Sequence, residues 1–347
     1  MEQKIQVGIV GATGYAGVEL IRILLSHPSA QIAALASVSF EGKQISQVYP
    51  AFRGICDQTL VSVEDTISAS DVVFASVPHG VSEELAVKCV EQGKLLIDLG
   101  ADFRLEAEKD YKQWYGLDYK HPALHGQAAY ALPELFREQI QAAKILGNPG
   151  CYPTSIALAL APAAKAGLIS PEGIVVDSKS GTTGAGRGLT QNTHFSECDE
   201  AFSAYKAASH RHTPEIQQTA SRLFGCPVAL TFVPHLLPVR RGIFSTIYTQ
   251  LVKNVTPAQI QVTYEEFYRD EPFVRVLPQG SLPNITNVTY SNYCDLAFVK
   301  DEHTGRLILF SVIDNMVKGA AGQAIQNMNL KFGLPETIGL MLVPPAI

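Results

Sequence analysis

The stretch IQVGIVGATGYAG, residues 5–17, decides how this chain is read. Ile5 to Val10 is a short apolar run of strand length, and it passes without a linker into three glycines, Gly11, Gly14 and Gly17, spaced three apart. Residues 18–25 then take helical spacing. Small residues between a first strand and a first helix let backbone N–H groups approach a pyrophosphate, where the helix dipole favours negative charge. The run departs from the strict G-x-G-x-x-G, so its position between strand and helix carries the reading.

Further apolar runs follow at 31–36, 72–77 and 95–99, with a helical pattern near Ser82–Glu91. Strand, helix, strand in this rhythm implies a parallel sheet whose ligands bind beyond the carboxyl ends of the strands. After residues 144–146 the chain reads GNPGCYPT (147–154), and 155–166 reads as an alanine- and leucine-rich helix. Beyond it, 174–176, 228–233, 243–252, 294–299 and 307–313 read as strands of a mixed, mostly antiparallel sheet. Val317, Ala321, Ala324, Ile325 and Met328 share one face of a last helix. The fold class expected is α/β: a Rossmann-type nucleotide-binding domain plus an α+β catalytic domain.

At 347 residues the chain exceeds one ordinary core, which points to two domains. Hydrophobic residues make up 46% and charged residues 17%, enough apolar material for compact cores. The net charge of −6, with Lys and Arg scattered, argues against a nucleic-acid partner. No apolar run approaches a membrane span and the N-terminus has no secretory pattern, so the cytoplasm is expected. Six cysteines stand singly, as reduced thiols do. No Cys, His and carboxylate cluster has metal-ligand spacing, so no metal is expected.

Cys151 follows Pro149 and Gly150 and precedes a helix, where unpaired N–H groups and the dipole favour a thiolate. A nucleophilic thiol acting on an acyl carbon needs a partner that accepts a proton and later returns one. HRHTPEI (210–216) offers His210 and His212, with Glu215 as a third member that could orient an imidazole. The five-residue gap to Glu215 favours His210, and His212 is the alternative. Ser37 stands about 20 residues past the glycines, where an NAD site usually has an acid, and Ser39 follows it; that favours NADP. Arg104, Arg240 and Arg241 are candidate clamps for phosphate or carboxylate.

Eight segments in order give the chain a resemblance that spans nearly its whole length: GATGYAG, SVPHG (76–80), DLGADFRL (98–105), GNPGCYPT, SGTTGAGRG (180–188), HRHTPEI, VPHLLPVRRG (233–242) and DNMVKGAAGQAIQN (314–327). Together they resemble the N-acetyl-gamma-glutamyl-phosphate reductases, the arginine-biosynthesis branch of the semialdehyde dehydrogenase superfamily. The resemblance implies an NADPH-dependent reduction of an acyl phosphate through a Cys151 thioester. It implies cofactor contacts from Gly11, Thr13, Gly14, Tyr15, Ala16, Gly17, Ser37, Ser39, Pro78, His79, Ser180, Gly181 and Asn315. Arg104, Asn148, Arg240 and Arg241 would face substrate. It also implies interleaved domains, 1–148 plus 315–347 for the nucleotide and 149–314 for catalysis and pairing into a homodimer or homotetramer. Aspartate-semialdehyde dehydrogenase and a lysine-biosynthesis acyl-phosphate reductase are the enzymatic alternatives, and a catalytically silent NADP-sensing module is the non-enzymatic one.

Overall fold

A computed structural model describes residues 4–345. The chain divides into two compact units, one made of the residues up to Pro149 together with Ala320–Met341, the other of Gly150–Gly319 joined by the residues from Leu342.

The first unit holds six strands, β1 (Ile5–Val10), β2 (Ala30–Ala36), β3 (Val72–Ala75), β4 (Leu95–Asp98), β5 (Ala128–Tyr130) and β6 (Ile145–Gly147). Their order is β2-β1-β3-β4-β6-β5 and every pairing is parallel. The parallel sheet expected from the alternating pattern is therefore present. β3 and β4 are buried along their whole length, as continuous apolar strands between helical layers are. The core joins Val10, Val73, Leu96 and Ile145 from the strands to Leu85, Ala86 and Cys89 of the helix Ser82–Glu91. The helix Gly322–Lys331 brings Ala324, Ile325 and Met328, all fully buried, against the helices Tyr15–Leu24 and Pro133–Ala142.

The second unit is a seven-stranded mixed sheet of β7 (Val175–Ser180), β8 (Ser203–Ala204), β9 (Thr231–Leu236), β10 (Ile243–Gln250), β11 (Val274–Val276), β12 (Cys294–Asp301) and β13 (Arg306–Ile313). The order is β11-β12-β13-β10-β7-β9-β8, antiparallel except for β11/β12 and β7/β9. The mostly antiparallel character expected for this half is what the structure has.

The helix Cys151–Lys165 lies across β10 and β13. A buried hydroxyl network joins it to the sheet: Ser155 Oγ lies 3.0 Å from both Ser245 Oγ and Ser311 Oγ, and Ser178 Oγ lies 2.8 Å from Ser245 Oγ. Pro162 sits inside this helix and has no N–H to give the carbonyl of Leu158. Tyr268 Oη donates to that carbonyl instead, at 2.5 Å, and Tyr264 Oη donates to the next one, Ala159, at 2.7 Å. Tyr268, just past the helix Pro257–Phe267, thus meets the carbonyl that Pro162 leaves without a donor in the helix carrying Cys151, and Tyr264 braces the carbonyl beside it.

Candidate active site

In the first unit, the helix Tyr15–Leu24 starts at Gly14, which provides no side-chain cap, so the first-turn N–H groups stay available to an anion. Gly11 has φ +84, and a Cβ there would fall 2.1 Å from the carbonyl oxygen of Ser76. A Cβ on Gly17 would fall 2.4 Å from the carbonyl oxygen of Gly11, whereas one on Gly14 would meet nothing closer than 3.4 Å. Gly11 and Gly17 therefore close the turn, and Gly14 leaves its approach open. Thr13 Oγ1 and Ser37 Oγ are 2.7 Å apart, Ser37 is buried at the end of β2, and Ser39 is exposed. His79 lies in a loop that Asp102 fixes: the buried carboxylate accepts from Gly80 N–H, Ser82 N–H and Tyr111 Oη. Pro78 beside it is exposed. These features suit a nicotinamide dinucleotide, with bare N–H groups for the pyrophosphate and hydroxyls where an acid would oppose a 2′-phosphate.

Arg104 and Asn148 also belong to this unit. Arg104 Nε donates to Asn148 O and its Nη2 to Leu99 O, both at 2.8 Å. The Asn148 side chain donates to Ala320 O and accepts from Asn327 Nδ2, so it ties the returning C-terminal segment to β6.

In the second unit Cys151 is the first residue of its helix and is half-buried. Two glycines make room around it. A Cβ on Gly319 would lie 2.7 Å from Cys151 Cβ, and one on Gly150 would lie 2.5 Å from His212 Nε2. The His212 ring therefore rests on the backbone immediately before Cys151. Gly150 N–H donates to Glu215 Oε1 at 2.8 Å, and Glu215 is fully buried. Glu215 thus turns to Gly150 and not to His210, the contact the spacing suggested. His210 Nδ1 instead accepts from His212 N–H at 3.1 Å, because the helix that bears Glu215 begins at Thr213 and turns the acid towards Gly150. Tyr152, Tyr205 and Phe232 meet the His210 ring edge to face. Burial, with Lys206 and Arg211 adding like charge, pushes His210 down to about 4.

Cys151, His210 and His212 open onto one cavity of about 710 Å³. Ser180 and Gly181, expected at the cofactor, line this cavity. Asn315 does not; it holds the loop after β7, accepting from Gly242 N–H and donating to Thr183 Oγ1. Arg240 and Arg241, expected to face substrate, are absent from the lining. Arg240 is exposed, and Arg241 reaches the buried Asp314 at 3.4 Å and stacks on Tyr290. The cations that do line the cavity are Lys206 and Arg211, joined by Tyr152, Tyr205 and Asn192. Arg211 could have been found, since it stands between the two histidines, but nothing in the local pattern marked Tyr205, Lys206 or Asn192. Among the described residues no acidic side chain lines the cavity.

Two family models cover most of the chain: residues 6–143 match the semialdehyde dehydrogenase NAD binding domain, and residues 151–315 the semialdehyde dehydrogenase dimerisation domain. An N-acetyl-gamma-glutamyl-phosphate reductase of Brachyspira hyodysenteriae is 54% identical over 99% of both chains. The chain belongs to the N-acetyl-gamma-glutamyl-phosphate reductase family. Reductases of the same name from Symbiobacterium thermophilum and Clostridium botulinum are 52% and 50% identical, covering 98% and 99% of this chain and 99% of their own length. Among solved structures, aspartate semialdehyde dehydrogenase II of Vibrio cholerae superposes with a TM-score of 0.73 at 19% identity, covering 96% of this chain and 99% of that one. The Candida albicans aspartate semialdehyde dehydrogenase with NADP gives 0.69 at 15%, covering 94% and 98%. These two likenesses show the two-domain fold. The family read from the eight segments is borne out, and a silent sensing module finds no support among the reductases.

Proposed function

We propose that this protein reduces N-acetyl-gamma-glutamyl phosphate to N-acetyl-glutamate 5-semialdehyde and phosphate, as a step of arginine biosynthesis in the cytoplasm. The observation that carries the substrate class is the acid-free cavity around Cys151. An acylated amine is neutral and needs no carboxylate partner, while Lys206 and Arg211 suit a substrate that brings a carboxylate and a phosphate. An aspartyl substrate would bring an ammonium group with nothing there to receive its charge.

The mechanism starts with the Cys151 thiolate attacking the acyl carbon. The S–C bond forms, the C–O bond to phosphate breaks, and phosphate leaves with the electron pair. Backbone N–H groups at the start of the helix Cys151–Lys165 are the candidate donors to the carbonyl oxygen. A bound nicotinamide dinucleotide supplies the hydride, and the residues that would hold it are the Gly11–Gly17 turn with Thr13, Tyr15 and Ala16, then Ser37 and Ser39, and the Pro78–His79 loop. Release of the aldehyde returns the electron pair to Cys151 sulfur. The proton that accompanies these steps falls to His212, whose ring rests beside Gly150. His210 is a poor base, since its Nδ1 is engaged and it stays neutral down to about pH 4. This reverses the order expected from the spacing to Glu215. Glu215 acts from behind by holding Gly150.

The family's dimerisation domain supports an oligomer, and we assign the contact to the sheet face opposite the helix Cys151–Lys165. That face presents Phe244, Tyr248, Ile308 and Phe310, all half-buried in the single chain.

The deciding assay runs in reverse, with phosphate and NADP. N-acetyl-glutamate semialdehyde should be oxidised at least tenfold more efficiently than aspartate semialdehyde, because one methylene and the unmet amide partners both count against the shorter compound. Equal efficiency, or a preference for aspartate semialdehyde, overturns the substrate assignment.

A further inference from the structure

The turn that follows β13 lies outside the cavity wall, yet it bears on Cys151. Gly319 N–H donates to Asp314 O at 3.0 Å, five residues back, so the chain leaves β13 through a π turn and not an α turn. Such turns are rare, and they occur frequently at functional sites. This one presents Gly319 to the start of the helix Cys151–Lys165: a Cβ at 319 would fall 2.7 Å from Cys151 Cβ and 3.2 Å from Cys151 Cα. The backbone of Gly319 thus walls off one side of Cys151, which itself lines the cavity. An α turn would close on Asn315 O instead. It would change the phase of Gly319 by about 100° and carry it off Cys151.

The π turn is held by Asp314, whose side chain is fully buried. Oδ1 accepts from Met316 N–H at 2.7 Å and from Val317 N–H at 3.1 Å, the donors that open the turn. Oδ2 accepts from Tyr290 N–H at 2.6 Å, and Arg241 Nη1 lies 3.4 Å from the same oxygen. Tyr290 has φ +64, a left-handed conformation that is costly for a tyrosine, and Arg241 stacks on its ring at 4.4 Å. One carboxylate therefore ties the turn to a strained residue on another segment, and both of its oxygens are engaged. Lys318, beside Gly319, is fully buried with its ammonium 5.9 Å from the centre of the Phe273 ring, so the turn is packed in and not free to swing outwards.

We propose that Asp314 and Gly319 are positioning residues for Cys151: the carboxylate keeps the turn at five residues, and the turn sets Gly319 against Cys151 so that the sulfur is kept towards the cavity. The inference rests on the reading of Cys151 as the nucleophile.

Asp314→Asn keeps the size but replaces one acceptor oxygen by a donor, which must then face either the Met316 and Val317 N–H groups or that of Tyr290. In the reverse assay this variant should lose on the order of a hundredfold in kcat, the loss that a small misplacement of a reacting atom brings, with little change in KM for the aldehyde or NADP. Alkylation of Cys151 by iodoacetamide, followed by mass from about pH 6 to 10, should shift to higher pH, because a thiolate moved at the helix start loses the N–H groups and dipole that favour it. A loss of stability elsewhere in the fold does not move that profile. Gly319→Ala adds the methyl that meets Cys151 directly and should reproduce both effects. The double variant should lose much less than the product of the two single losses, since both act through one turn. Should Asp314→Asn not fold, Gly319→Ala decides. An unchanged kcat or an unchanged profile in either variant overturns the inference, as does a double variant whose losses multiply. A wild type that keeps its turnover with Cys151 alkylated overturns the nucleophile as well.

Discussion

Cys151 and the glycines around it show why single positions matter so much here. The place of Cys151 at a helix start was legible because GNPGC puts a proline and a glycine immediately before it, and that placement is local chemistry. Which ring lies beside Gly150 was not legible, because it depends on which way a helix turns its first acid: Glu215 faces the Gly150 N–H, and the His212 ring rests next to it. His212→Asn should accordingly lower turnover by about a hundredfold, more than His210→Asn does, with NADPH binding retained in both. Steady-state rates with a cofactor titration check the order, and the reverse ranking returns the role to His210. His210 also leaves a mark on stability. Its pKa is near 4 in the fold against an ordinary value of 6.5, so the unfolded chain binds the extra proton first. The stability that its neutral form preserves is intact above pH 6.5 and is lost as pH falls from there towards 4. A His210→Gln variant should lose less stability than wild type between pH 7 and pH 5 in urea titrations.

Among the elements, the parallel half was read closely and the second sheet less so. Strands β1 to β4 are apolar runs ended by breakers, and such runs declare themselves. β5, with three residues, and β8, with two, carry too little pattern to detect. β7, read at 174–176, runs to Ser180, because VDSKS points Ser178 at the hydroxyl network and Asp177 and Lys179 at the other face. β9 lies three residues later than expected, since Pro234 reads as a breaker even though β9 is bonded through it to β7 in the register Ser178 to Pro234. The helix at Cys151 begins four residues earlier than the apolar pattern because Pro153 is tolerated in a first turn. Pro162 further on gives the element its own prediction. Tyr268→Phe removes the donor to Leu158 O and should cost about 1–3 kcal/mol of stability. Adding Pro162→Ala restores an N–H for that carbonyl and should recover part of the loss. Denaturant melts of the single and double variants decide it, and an additive second loss would show that the tyrosine acts through packing alone.

For the whole molecule, the charge and composition argued against nucleic acid as a partner but said nothing about which face meets a second copy. The open face of the second sheet carries that assignment. Phe310→Glu places a charge among half-buried aromatic and aliphatic side chains and should shift the protein to monomer at micromolar concentration, measured by sedimentation. An unchanged oligomer would move the interface elsewhere.

The interrupted first unit has a consequence for synthesis. Residues up to Pro149 leave the ribosome long before Ala320–Met341, which complete the same unit. Until then the helices Tyr15–Leu24 and Pro133–Ala142 lack the fully buried Ala324, Ile325 and Met328 that pack against them. At roughly 5–20 residues per second that interval lasts on the order of tens of seconds. The stretch Gly150–Gly319, which makes up nearly all of the second unit, can fold in the meantime. The nascent nucleotide half is thus a natural client for a chaperone, and premature termination anywhere before the last helix would leave it with an apolar seam that nothing else in the chain is built to close.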